Sequence, residues 1–220
     1  MLFQEAFFFQ VHLNNSLKIN EENPNPQKFE NVQVFASAKY YHPADALIKN
    51  LHLDTDPEGR KAEQHRYIHT TNLFNTGPSI TPVDVPDMYQ ILLHGDDTIV
   101  RKNNLIGTAE HWGPEFKITV DIKIISFLKQ STKVLEIFRF ANVEGNCCEI
   151  GQRLPALFSW FKNNTFHLTS NIGTEGNTWF DLPGFQEKKW YNFKIVQTEI
   201  EVASISSIHF NVESLHRFLG

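Results

Sequence analysis

Apolar and polar side chains alternate along much of this chain with a period of two. From Glu115 to Ile124 the order is Glu-Phe-Lys-Ile-Thr-Val-Asp-Ile-Lys-Ile. Phe116, Ile118, Val120, Ile122 and Ile124 therefore share one face, and Lys117, Thr119, Asp121 and Lys123 the other. A strand with one wet face belongs to an antiparallel sheet, because parallel sheets are covered on both sides. The same period predicts a strand over 6–13, with Phe7, Phe9, Val11 and Leu13 facing one way, and another over 29–36. Residues 44–53 (ADALIKNLHL) fit a short helix and a strand equally. Further strands are predicted over 134–140, 156–160, 165–170, 178–181 and 190–198.

Turn signals punctuate these runs. They are Asn14-Asn15-Ser16, Glu144-Gly145-Asn146, Lys162-Asn163-Asn164, Thr174-Glu175-Gly176-Asn177 and Leu182-Pro183-Gly184. Short strands at such spacing predict an all-β antiparallel sandwich or jelly roll. Segment 54–87 differs, with Pro57, Gly59, Gly77, Pro78, Pro82 and Pro86 and a charged patch over 58–66. A loop that long within one compact domain marks a module boundary. The chain thus divides into a first block (1–53), a linker (54–87), a second block (88–200) and a weakly patterned tail (201–220). A short helix over 212–218 is the one helical element the tail suggests.

Composition strengthens the sheet reading: 19 Phe, 4 Trp and 5 Tyr stand beside 2 Met, and aromatic residues favour strands. The net charge of −5 argues against sequence-independent nucleic-acid binding and gives no support for anchoring on anionic membranes. No apolar run reaches the roughly 20 residues of a membrane-spanning helix. Phe7-Phe8-Phe9 does not read as a secretory signal, since Glu5 precedes it and neither a basic segment nor a small-residue cleavage site flanks it.

Candidate chemistry is sparse. Retaining and inverting glycosidases need two acids on one face, about 5 to 10 Å apart. Glu199 and Glu201 are two apart but end a strand, and Asp96-Asp97 and Asp54-Asp56 lie in turns. No nucleophile elbow and no glycine-rich phosphate loop occurs, and histidines such as His42, His94, His111 and His167 are scattered singly. Asp54-Thr55-Asp56-Pro57-Glu58-Gly59 lacks the later acid of an EF-hand, so no metal or other cofactor is expected. Cys147 and Cys148 are adjacent, and neighbours bridge each other only with difficulty. They read as two mostly buried thiols, or as thiols paired with cysteines outside the chain. Asn14-Asn15-Ser16 and Asn163-Asn164-Thr165 are glycosylation sequons.

The tryptophans carry more information. Trp190 opens a strand and Trp112 precedes one, so both are expected to pack in the core. Trp179 follows Gly176-Asn177 and is expected at a rim. Trp179 and Trp160 are the candidates for stacking on a sugar ring, which presents an apolar face and a polar edge. Arg153, just before Pro155, is expected to hold a loop carboxylate in a structural pair.

Several motifs resemble the concanavalin A-like, laminin G-like module of invertebrate proteins. They are Trp112-Gly113-Pro114-Glu115-Phe116, Val134-Leu135-Glu136-Ile137-Phe138, the run from Gly145-Asn146-Cys147-Cys148 through Arg153-Leu154-Pro155-Ala156, Phe166-His167-Leu168-Thr169-Ser170-Asn171, and Trp190-Tyr191-Asn192-Phe193-Lys194-Ile195-Val196-Gln197. Together they cover about 88–197. The segments such modules carry last are found first here: Phe7 to Asn14, Glu22-Asn23-Pro24, Phe29 to Phe35, and Tyr40-Tyr41-His42-Pro43-Ala44. The chain therefore resembles the C-terminal part of one repeat followed by the N-terminal part of the next. Two arrangements follow: the blocks close into one circularly permuted sandwich, or they stand as half-modules with bare, aggregation-prone edges. The lack of paired acids and of an activated nucleophile predicts no enzyme, with a glycoside hydrolase-like sandwich kept as a third reading. The resemblance implies an extracellular or cell-surface binding or adhesion module whose partners are glycans or extracellular proteins, with a ligand-free structural repeat as the alternative. Cys147, Cys148, Arg153, Pro155, Trp112 and Trp190 then carry structure.

Overall fold

A computed structural model describes residues 3–55, 89–93, 95–127, 134–160 and 164–203. The linker (apart from its ends) and the 212–218 helix expected in the tail lie outside the described residues.

Among the described residues thirteen strands follow one another: β1 (Phe3–Leu13), β2 (Ser16–Glu22), β3 (Phe29–Phe35), β4 (Asp45–Asp54), β5 (Tyr89–Ile91), β6 (Thr98–Ile99), β7 (Leu105–Trp112), β8 (Phe116–Ser126), β9 (Leu135–Ala141), β10 (Ala156–Trp160), β11 (Thr165–Ile172), β12 (Glu175–Leu182) and β13 (Trp190–Ala203). They form two antiparallel sheets. One is ordered β2-β1-β13-β8-β4-β5, with β6 also on β4; the other is ordered β12-β11-β10-β9-β3-β7. The protein is an all-β sandwich.

Both sheets combine strands of the first and second sequence blocks: β1 and β4 flank the β13-β8 pair in the larger sheet, and β3 is inserted in the smaller one. β1 pairs with β13 in register from Phe3↔Ala203 to Leu13↔Phe193, and β3 lies between β7 and β9. One row of paired residues crosses the larger sheet from Ile19 through Val11, Ile195 and Ile118 to Leu53. All five are buried and belong to one continuous core with Phe193 of the same sheet and Phe138, Phe140 and Phe166 of the facing one. Each such aliphatic or aromatic side chain contributes about 1.5–3 kcal/mol on burial. Core rings meet edge to face, as Phe166 does with Phe185 at 4.2 Å between centroids.

Residues 44–53 are a strand, and their ambiguity has a local cause. Ala46 and Ile48 are buried, then Leu51 and Leu53. The phase change falls at Asn50, which takes φ 50°, between the pairings Lys49↔Asp121 and His52↔Thr119. This β-bulge lets both halves bury their apolar residues, at the cost of a strict period of two. The edge strands β2 and β7 carry no such alternation: Ile19 is the buried residue of β2, and Ala109 and Trp112 those of β7. An edge strand needs only backbone pairing on one side and a few apolar anchors.

A polar tie joins the blocks at one end of the sandwich. Asn23, buried in the loop after β2, donates its amide to Gln197 Oε1 at 2.6 Å and accepts from Gly173 N at 2.8 Å. Gln197 in turn donates to the Pro114 carbonyl.

Candidate functional site

The outer face of the six-stranded sheet carries the richest chemistry. On its edge strand β12, Asn177, Trp179 and Asp181 lie at successive outward positions, spanning about 13 Å. The intervening Phe180 packs inward against the Phe9 ring at 6.1 Å. Trp179 is 57% exposed. Its indole stacks on the His167 ring of β11, 5.7 Å between centroids at 27°. His167 Nδ1 lies 2.7 Å from Asp181 Oδ1, so the carboxylate fixes the ring that supports the indole. Phe158 of β10 continues the row, 6.1 Å from His167, and Tyr41 meets Phe158 edge-on at 5.1 Å.

Two loops cover the rest of this face. Residues 36–44 leave β3, arch outward and return at Pro43, which bridges to Glu136. Residues 142–155 connect β9 to β10. Between them lie two buried cations. A bulge in β9, where Phe138 and Glu136 face the consecutive residues Leu157 and Phe158, inserts Ile137 and brings Glu136 and Arg139 onto one side. Arg139 Nε then donates to Glu136 Oε1 at 2.6 Å, with the two side chains 2% and 0% exposed. The second Glu136 oxygen accepts the Ala38 amide, and Arg139 Nη1 donates to the Gly145 carbonyl at 2.8 Å. Such a pair repays its desolvation only when its remaining lone pairs and protons are used, as these are.

Arg153 is different. It is 5% exposed and has no carboxylate among its hydrogen-bond partners. Its donors go to Asn177 Oδ1, to the Tyr41 hydroxyl at 2.6 Å and to the Asn146 carbonyl at 3.0 Å, while Nε has no partner among the described residues. Its guanidinium lies 5.1 Å from the centre of the Phe158 ring. Burial lowers its proton affinity below the ordinary arginine value; the Tyr41 hydroxyl opposes that shift and the nearby Arg139 charge adds to it.

A small pocket of about 70 Å³ opens beside Arg139, lined by Phe35, Tyr40, Lys39, Val143 and Glu144 among others. Lys39 Nζ reaches both Glu144 oxygens at 2.9 Å across its mouth. That contact holds the Glu144 carboxyl below, and the Lys39 ammonium above, their ordinary values.

The residues singled out from sequence fall in several places. Trp179 is exposed, and Trp160 is half-buried on the same outer face, with His167 between them along β11. Trp112 is in the core, 3% exposed and 4.6 Å from the Phe116 ring. Trp190 is not a core residue: it faces outward from the larger sheet, because Tyr191 takes the inward position beside it. Lys49 and Lys123 lie 4.2 and 4.5 Å from the centre of its ring. Arg153 holds no carboxylate, contrary to expectation; the acid nearby, Glu136, is already bonded to Arg139. Cys147 and Cys148 are also corrected. They are joined to each other, half-buried and exposed respectively, in a loop where Cys148 takes φ 80°. Pro155 follows a cis peptide bond at the start of β10, and its carbonyl accepts from Phe140 N at 2.9 Å.

Tyr41, Glu136, Arg139 and Asp181 were not legible as a group. The spacing Asn177-x-Trp179-x-Asp181 was a usable signal, since period two places all three on one face. The Glu136–Arg139 pair was not, because residues three apart on a regular strand face opposite ways.

Among the described residues no group of three or more His, Cys, Asp or Glu is placed to hold a metal ion. Comparison with known proteins adds no further guide: no family model, curated protein or solved structure matches this chain.

Proposed function

We propose that this chain is a non-catalytic binding module that holds a saccharide on the outer face of its six-stranded sheet. The observation that carries this reading is Trp179: a large indole, 57% exposed, braced from behind by His167 and flanked along β12 by an amide and a carboxylate. A sugar ring needs that combination, an apolar plate for its C–H face and polar groups for its hydroxyls. Trp160 extends the face.

The resemblance to concanavalin A-like, laminin G-like modules and an extracellular setting belong to the same proposal, as does a jelly-roll strand order. The mixing of block-one and block-two strands in each sheet supports a circularly permuted closure, with the chain a window across a tandem array.

A glycan array probed with the purified, monodisperse chain tests the reading. Binding is expected, and Trp179→Ala is expected to weaken it at least about tenfold with the fold intact. An empty array, or binding that survives the substitution, favours a structural repeat without a ligand of its own.

A further inference from the structure

We infer that the saccharide received at Trp179 carries an anionic group, a carboxylate or a sulfate ester, and that Arg153 receives it. This inference rests on the saccharide reading above and adds the chemical class of the ligand. Removing a guanidinium from water costs several kcal/mol unless an opposite charge or a full set of hydrogen bonds replaces the solvent. Arg139 meets that requirement with Glu136. Among the described residues Arg153 does not: its partners there are an amide oxygen, a phenol and a peptide carbonyl, and its buried Nε–H has none. Two arginines and one glutamate leave the cluster one positive charge in excess. The whole chain carries a net charge of −5, so this is a local feature and no part of a general basic surface.

Position supplies the second argument. Arg153 bonds Asn177, the outward residue two places before Trp179 on β12. The Asn177 side chain is the replaceable partner, half-exposed and neutral. Tyr41 is the anchored one, because its hydroxyl also donates to the Asn146 carbonyl at 2.9 Å. An anion that exchanges with the Asn177 oxygen gains the planar fork of an arginine, whose geometry suits carboxylate and sulfate. Asp181, at the other end of the strand, repels that group, so the ligand has one orientation: anion toward Arg153, hydroxyls toward Asp181 and His167.

The test compares three oligosaccharides on one sugar backbone: sulfated, uronic-acid-containing and neutral. Affinities are measured by calorimetry on the full chain, with inorganic sulfate as competitor. At least one acidic form is expected to bind ten times or more tighter than the neutral one, and which form does so identifies the anion. Arg153→Gln is expected to reduce that preference to about twofold, and Arg153→Lys to restore part of it. Because the glutamine variant removes a buried brace, the Arg153 Nε–H resonance of the unmodified protein gives an independent reading. It is expected to shift with the acidic ligand and to stay in place with the neutral one. Equal binding of acidic and neutral forms, with both lost in Trp179→Ala, overturns the anion inference and leaves the saccharide reading intact. Binding of none of the three overturns both.

Discussion

The two outer faces of the sandwich each present a tryptophan, and the two are used differently. Trp190, on the larger sheet, is covered by two ammonium groups of its own chain, and Asp97 holds both lysines at 3.6 and 3.8 Å. Trp179, on the smaller sheet, is backed by His167 and open in front. The difference lies in the neighbours. On the larger sheet, alternating lysines from β8 and β4 reach over the ring and satisfy its π face. On the smaller sheet, the polar groups beside Trp179 contact one another instead: His167 lies against Asp181, and Asn177 accepts from Arg153. An exposed aromatic is informative only when nothing in the chain already uses its face.

That contrast can be broken in graded ways. The largest effect is expected from Glu136→Ala, which leaves Arg139 as a bare buried cation beneath the tyrosine loop. A loss of about 3–5 kcal/mol is expected in chemical denaturation, and a loss under 1 kcal/mol shows that water reaches the site and that the smaller sheet's outer face is not sealed. Asn23→Ala strands Gln197 and the Gly173 amide and is expected to cost about 1–3 kcal/mol. The tie lies between the two sequence blocks, so its loss also lowers the cooperativity of unfolding if the blocks depend on it. Replacing Lys49 and Lys123 together by Ala uncovers Trp190 and is expected to cost about 1 kcal/mol. This variant is expected to gain no saccharide binding on an array, because the amide and carboxylate nearest Trp190, Asn192 and Asp121, are bonded to each other at 2.8 Å. New binding there means that uncovering the indole is enough to open a site on the larger sheet.

The smallest effect concerns pH. Burial, and behind it the Lys194 charge, lowers the proton affinity of His12 on the larger sheet below its ordinary value of 6.5. A lowered pKa favours the neutral form in the folded state, so the unfolded chain binds the extra proton first. Stability is therefore complete above the ordinary imidazole range and falls as the pH drops through it. Thermal melts of His12→Gln are expected to show a shallower acid limb than the unmodified chain; identical limbs mean that His12 is fully solvated.

Much of the fold was legible. β8 could be read residue by residue, because each inward position is apolar and each outward one polar. The strands of β1, β3 and β10 to β13 were visible for the same reason. β2 and β7 were not, since an edge strand is defined by what it pairs with. The candidate site was half legible. Trp179 stood out by its place after Gly176-Asn177, which reads as a turn but lies within β12, the turn falling at Gly173-Thr174; its alternating partners Asn177 and Asp181 were within reach of strand periodicity. Trp190 was misjudged because a strand's first residue can face either way, and only the register with β8 decides which.

By itself, then, the order of residues determined an antiparallel sandwich, its inward faces and the aromatic character of its core. Those properties follow from local geometry: side chains on a strand alternate, and apolar ones must leave water. The tertiary structure decided everything that depends on which strands meet. It interleaved the two sequence blocks, inserted the β9 bulge that brings Glu136 to Arg139, and laid the 36–44 and 142–155 loops over the arginines. Pairing partners far apart in the chain leave no periodic trace, and a buried charge without a counter-charge becomes visible only when all its neighbours are in place.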